Sequence, residues 1–215
     1  MGYKNAEKTR LALIKSAETL VAKRGLAGVS AREVCRLSGL KNNVAVQYHF
    51  TSVEQLYDEI VKHRMIQLEA IRCQRLQALG HNELAALTID ELVALVCLPH
   101  LRIRDENGGY PYAAFLCHYL PEKRPTGFNW AMEAGSSITP TMQRIITLLR
   151  NQRPNLPFDV FNRRMTNATL VFLNVLRGLP DSETRSDDVY RHPLILDGLR
   201  QCVALLNAEW HAPQS

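Results

Sequence analysis

No apolar run in the chain approaches the ~18 to 20 residues that a bilayer crossing needs, so no membrane partner is expected. A disulfide framework is missing too. Cys35, Cys73, Cys97, Cys117 and Cys202 are odd in number, scattered, and contain no C-x-x-C pair, which suits reduced thiols. The segment from Met1 to Arg10 is polar and carries no apolar signal stretch, so the expected location is cytoplasmic. Catalytic signatures are equally scarce: there is no G-x-S-x-G, P-loop, dinucleotide fingerprint or H-E-x-x-H motif. Neither an enzyme nor a resident cofactor or metal is expected. Strict apolar and polar alternation between hairpin turns is also absent, and helical periodicity takes its place, so the fold class expected is all-α.

What is present is an ordinary globular composition, 46% hydrophobic and 22% charged over 215 residues, enough for one large or two small domains. The net charge of +5 is unevenly spread. Residues 1–52 hold nine Lys or Arg against three Asp or Glu, whereas the remaining residues carry a surplus of one acidic group. A basic end on a neutral body is the footprint of a nucleic-acid binder, because cations displace counterions from phosphates; a solvated basic face is the plainer alternative.

Along the chain, a first helix is expected over about 7–24, with Leu13, Ile14, Ala17, Leu20 and Val21 on one face and Gly25 as its stop. Ser30 and Glu33 form a capping-box pattern that opens a short second helix, closed at Ser38 and Gly39. A third short helix fits 43–50. A fourth begins near Ser52 and runs to about 79, with Val53, Leu56, Tyr57, Ile60 and Val61 at helical spacing. Thr88 and Glu91 announce a helix to about 104, bent at Pro99. Further helices are expected over 111–120, 140–151, 158–177 and 194–210.

Two short helices joined by a tight glycine turn at the basic end form a helix-turn-helix pattern. The second of them would lie in a major groove, and Lys41, Asn42, Asn43, Ala45, Gln47, Tyr48 and His49 are the side chains it offers. Asn and Gln can pair with adenine, Ala can touch a thymine methyl, and Lys, Tyr and His can reach phosphate oxygens; packing is the competing role for Tyr48 and His49. Phe50, Val34, Leu37, Val44 and Val46 are expected in the core.

The run from Ala31 to Tyr57, above all Val44-Ala45-Val46-Gln47-Tyr48-His49-Phe50 followed by Ser52, Glu54, Leu56 and Tyr57, resembles the TetR/AcrR-type bacterial transcription regulators. It carries Gln47 where that family commonly has Tyr, and is one residue longer before Tyr48 than the commonest pattern. The resemblance implies a head over 1–52 and a helical effector-binding and dimerisation body over 53–215, linked by the fourth helix. It implies Ser30 and Arg32 beside the DNA backbone, Lys41 to His49 along the groove, and Thr51 and Ser52 near phosphate. It also implies a small-molecule pocket in the body.

For that pocket the sequence offers His100, Arg102, Tyr110, Phe115, His118, Tyr119 and Trp130, although aromatics at helical spacing commonly serve only as core. Cys97, His100, Cys117 and His118 also permit a metal or thiol sensor, with buried structural side chains as the alternative. Phe161, Met165, Leu173, Ile195, Leu199, Val203 and Leu206 mark apolar faces of the last two helices, expected as a homodimer surface or as core. The function expected is a ligand-responsive repressor bound to a pseudo-palindromic double-stranded operator. The rival is a helical carrier or metal and redox sensor that does not bind DNA.

Overall fold

Ser30 and Glu33 satisfy each other's backbone as the sequence requires: the Glu33 amide donates to Ser30 Oγ at 3.3 Å and the Ser30 amide donates to the Glu33 carboxylate at 3.3 Å. In the computed structural model, which describes residues 2–40, 42, 44–78, 86–125, 138–179 and 187–211, every regular element is helical. Among these residues the α-helices are α1 (Gly2–Arg24), α2 (Ala31–Leu37), α3 (Ala45–Phe50), α4 (Val53–Ala78), α5 (Ile89–Cys97), α6 (Pro111–Lys123), α7 (Pro140–Asn151), α8 (Phe158–Gly178) and α9 (Pro193–Asn207). Short 3₁₀ turns cover Leu98–Arg102 and Asp187–Arg191.

Several boundaries differ from expectation, each for a local reason. α1 starts at Gly2 rather than near Glu7. The helix expected to bend at Pro99 instead ends at Cys97 and continues as the 3₁₀ turn. Pro99 has no N–H to give Leu95, and its ring crowds that carbonyl. The freed carbonyls of Leu95 and Val96 are taken by Nε and Nη2 of Arg72 on α4, at 3.2 and 3.1 Å. α9 begins on Pro193 and stops short of Trp210, because Ala208 turns extended (φ −53°, ψ 136°).

The core gathers α1, α4, α6 and α8 around Tyr112, Phe115, Tyr119, Phe161 and Phe172, all buried. α6 lies between α1 on one side and α8 on the other. α8 and α9 run antiparallel: Val175 packs on Gly198, where an added Cβ would approach it to 3.2 Å, and the Cys202 thiol donates to the Ala168 carbonyl at 3.0 Å. α9 also packs on α5.

Of the residues expected at a homodimer surface or in the core, Phe161, Met165, Leu173, Ile195 and Leu206 are buried within one chain. Leu199 and Val203 remain half-buried, and Leu196 on the same flank is exposed.

Candidate nucleic-acid interface and body cavity

The turn after α2 is closed by two bonds, from the Gly39 amide to the Arg36 carbonyl (3.2 Å) and from the Leu40 amide to the Cys35 carbonyl (3.0 Å). This double closure needs a left-handed residue between them, and Gly39 supplies it at φ +72°. Beyond it, Asn42 Oδ1 accepts from the Val44 amide at 3.0 Å and starts α3. Asn42 therefore spends one acceptor on the backbone.

α3 is anchored on its inner side by Val46 and Phe50, both buried, and contacts α2 and α4. Its outer side presents Gln47 and Tyr48, the latter 82% exposed, while Ala45 and His49 are half-buried. Leu37 and Val44, expected in the core, are instead about half exposed at 51% and 54%, since a six-residue helix has too little inner face to cover them. Lys41 and Asn43 lie outside the described residues.

The corner into α4 is strained. Thr51 is β-branched and sits at φ +66°, ψ −42°, where side chains rarely go; it is the sole non-glycine with positive φ among the described residues. Its amide donates to the Gln47 carbonyl at 3.1 Å, and Ser52 Oγ accepts from the Gln55 amide at 3.1 Å. The result is an exposed Thr51 and a half-buried Ser52 at the C-terminal end of α3. At the other end of the motif, Ser30 and Arg32 are exposed at the start of α2. Glu33 is held below the usual carboxylate range by its hydrogen bonds from Ser30 and then by Arg24.

Arg36, exposed one turn beyond Arg32, joins this surface and was missed; the i, i+4 spacing of two arginines on a short helix was its signal. Arg10, by contrast, is drawn away to pair with Glu59 and lies over the Phe50 ring.

In the body, α4, the 3₁₀ turn after α5, and helices α6 to α8 enclose a cavity of about 50 Å³. Met65, Leu68, Leu116 and Met142 form apolar walls, and Arg72 and His100 are its buried nitrogen groups. Burial lowers the Arg72 pKa to about 10, which leaves it charged at neutral pH, and burial followed by the Arg72 charge lowers His100 to about 3. Imidazole Nδ1 of His100 is buried without a hydrogen-bond partner among the described residues. Among the described residues, His100 of the expected pocket group lines this space, and so does Tyr112. Arg102 is exposed, and Tyr110 and Phe115 are buried elsewhere in the core. His118 sits half-buried beside Gly25, 3.7 Å from its virtual Cβ, and Tyr119 donates to Asp58 at 2.5 Å. Trp130 lies outside the described residues. Arg72 was missed, although an arginine seven residues after Met65 and four after Leu68 interrupts an apolar helix face.

A line of contacts runs from the cavity to the basic end. The His100 ring stacks on Tyr112 (6.1 Å between centroids), Tyr112 on Phe115 (6.2 Å), and Phe115 meets Tyr57 edge-on (6.1 Å). The Tyr57 hydroxyl donates to the Leu26 carbonyl at 3.1 Å, in the loop before α2. Arg64 lies over Tyr112 and grips Glu18 of α1 through two bonds of 2.7 Å.

The cysteine and histidine pairs do not converge. Cys97 faces Cys202 of α9, while Cys117 and His118 lie on α6. Among the described residues no group of three metal-ligating side chains forms.

No protein-family model matches the chain, and no curated protein does. Among solved structures, it is similar to a protein of Mesorhizobium loti MAFF303099 named as a TetR-family transcriptional regulator. Identity is 16% over 93% of this chain and 97% of that one, with a TM-score of 0.45.

Proposed function

We propose that the chain is a sequence-specific DNA-binding transcription regulator of the TetR/AcrR type, a repressor whose operator affinity responds to a small molecule in the body cavity. The observation that carries this is α3: a short helix held by two buried anchors that turns Gln47 and Tyr48 outward, at the basic end of the molecule. Gln47 has the amide geometry to read adenine, while Arg32, Arg36, Tyr48 and Thr51 surround it with phosphate-binding groups. One short helix reads too few bases for specificity, so a two-fold homodimer on a pseudo-palindromic operator is the working form. The flank of α9 bearing Leu196, Leu199 and Val203 is the surface offered to the second copy.

Residues 1–52 form the reading head and 53–215 the body. A ligand beside Tyr112 would act through Arg64 on Glu18, and through Phe115 and Tyr57 on the loop before α2. To release DNA, it must bind the DNA-incompetent arrangement more tightly than the competent one.

Fluorescence anisotropy on labelled duplexes from the region beside its own gene tests the reading. The expected result is sequence-dependent binding at physiological salt that Arg36→Ala weakens on all duplexes alike and Gln47→Ala makes less selective. Binding that ignores sequence and vanishes at physiological salt overturns it and leaves the non-DNA-binding carrier.

A further inference from the structure

The body cavity is mostly apolar, yet it holds a guanidinium whose bonds are only partly used. Arg72 commits Nε and Nη2 to the carbonyls freed by Pro99, and no acceptor among the described residues meets Nη1. The nearby carboxylate, Glu69, does not fill that role, because it accepts from the backbone amides of Thr141 and Met142 at the start of α7. His100 lines the same space, buried, and its Nδ1 meets no hydrogen-bond partner among the described residues. Two polar groups facing one small apolar space, each with unused bonding capacity, are costly unless a ligand completes them.

We propose that the cavity binds a small monocarboxylate, one oxygen on Arg72 Nη1 and the other on the His100 ring, with its hydrocarbon between Met65, Leu116 and Met142. This rests on the effector reading above and gives that effector a chemical class. Glu69 already places one carboxylate beside Arg72, so a ligand must add little charge: a monocarboxylate adds one, and a phosphate dianion would add two where no further cation lines the space among the described residues. A guanidinium with free N–H groups suits a carboxylate's planar oxygens. The volume of about 50 Å³, well below the ~150 Å³ of a cavity that holds benzene, limits the ligand's hydrocarbon to a short aliphatic chain.

Calorimetric titration of the full-length protein with acetate, propanoate and butanoate, each beside its primary amide, tests this. Carboxylates should bind at least tenfold more tightly than their amides. Arg72→Gln should abolish that preference. Because Arg72 also braces α5, His100→Phe provides a second variant that keeps the ring stack on Tyr112 and should weaken carboxylates about tenfold while leaving the amides unchanged. Equal binding of acids and amides, or no binding of either, overturns the proposal. The same compounds added to the anisotropy assay separate the two readings: carboxylate binding that leaves DNA affinity unchanged keeps the ligand class and removes the effector role. Loss of DNA affinity on an amide alone overturns the class and keeps the effector role.

Discussion

α3 and α6 look alike as text, each a short helix rich in Tyr, His and Phe, yet they are put to opposite uses. In α3 the aromatic at the centre, Tyr48, is 82% exposed. In α6, Tyr112, Phe115 and Tyr119 are among the most deeply buried side chains in the molecule. The difference lies in neighbours rather than residue type. α3 has six residues, touches α2 and α4, and keeps one side free, whereas α6 is held between α1 and α8. Aromatic rings supply core wherever two sides are covered, and contact chemistry where one side is open.

Substitutions on the two helices should therefore separate cleanly into stability and binding effects. Phe115→Ala removes a fully buried ring and should cost about 3–5 kcal/mol in urea denaturation. Tyr48→Ala should change stability by no more than about 0.5 kcal/mol. A large stability loss at Tyr48 would show that α3 depends on its outer face, and the contrast would fail.

The ring stack that runs from His100 onto α6 should also carry a pH signature. His100 takes up a proton near its ordinary 6.5 when unfolded but only near 3 when folded. Between those values the unfolded chain holds one more proton, so folding stability rises with pH and is lost as pH falls from 6.5 toward 3, by on the order of 1 kcal/mol per unit. Denaturation midpoints at pH 6.5 and 5 should differ less in His100→Phe than in the wild type; an unchanged difference would mean the ring is not buried as described.

On α3, Gln47→Ala should cost about 1–3 kcal/mol of operator affinity, read by anisotropy, with stability unaffected. A further effect concerns the strained corner. Thr51→Gly relieves a β-branched residue at φ +66° and should stabilise the fold by about 1 kcal/mol while weakening DNA binding. A destabilising result would show that the Thr51 side chain contributes more than its backbone costs.

The cap at Ser30, the turn at Gly39 and the start at Thr88 were legible because each depends on residues within about four positions of one another. The role of Arg72 was not. It caps carbonyls 23 and 24 residues away, which a proline on another helix had exposed, and no local pattern records that encounter. The faces of α8 and α9 were legible as apolar, with a second copy or the chain's own core as their partner. Periodicity shows which side of a helix avoids water, and whether that side meets the same chain or another is set by packing.

Sequence alone thus determined the helical class, the caps, the concentration of positive charge in residues 1–52, and the short helix ending in Gln47-Tyr48-His49-Phe50. These follow from backbone hydrogen bonding, local sterics and charge, which act over a few residues. Tertiary structure decided which rings were buried, which arginine entered the cavity, and which leucines were left outside. Those outcomes depend on how many helices crowd around each position, and that is a property of the packed chain.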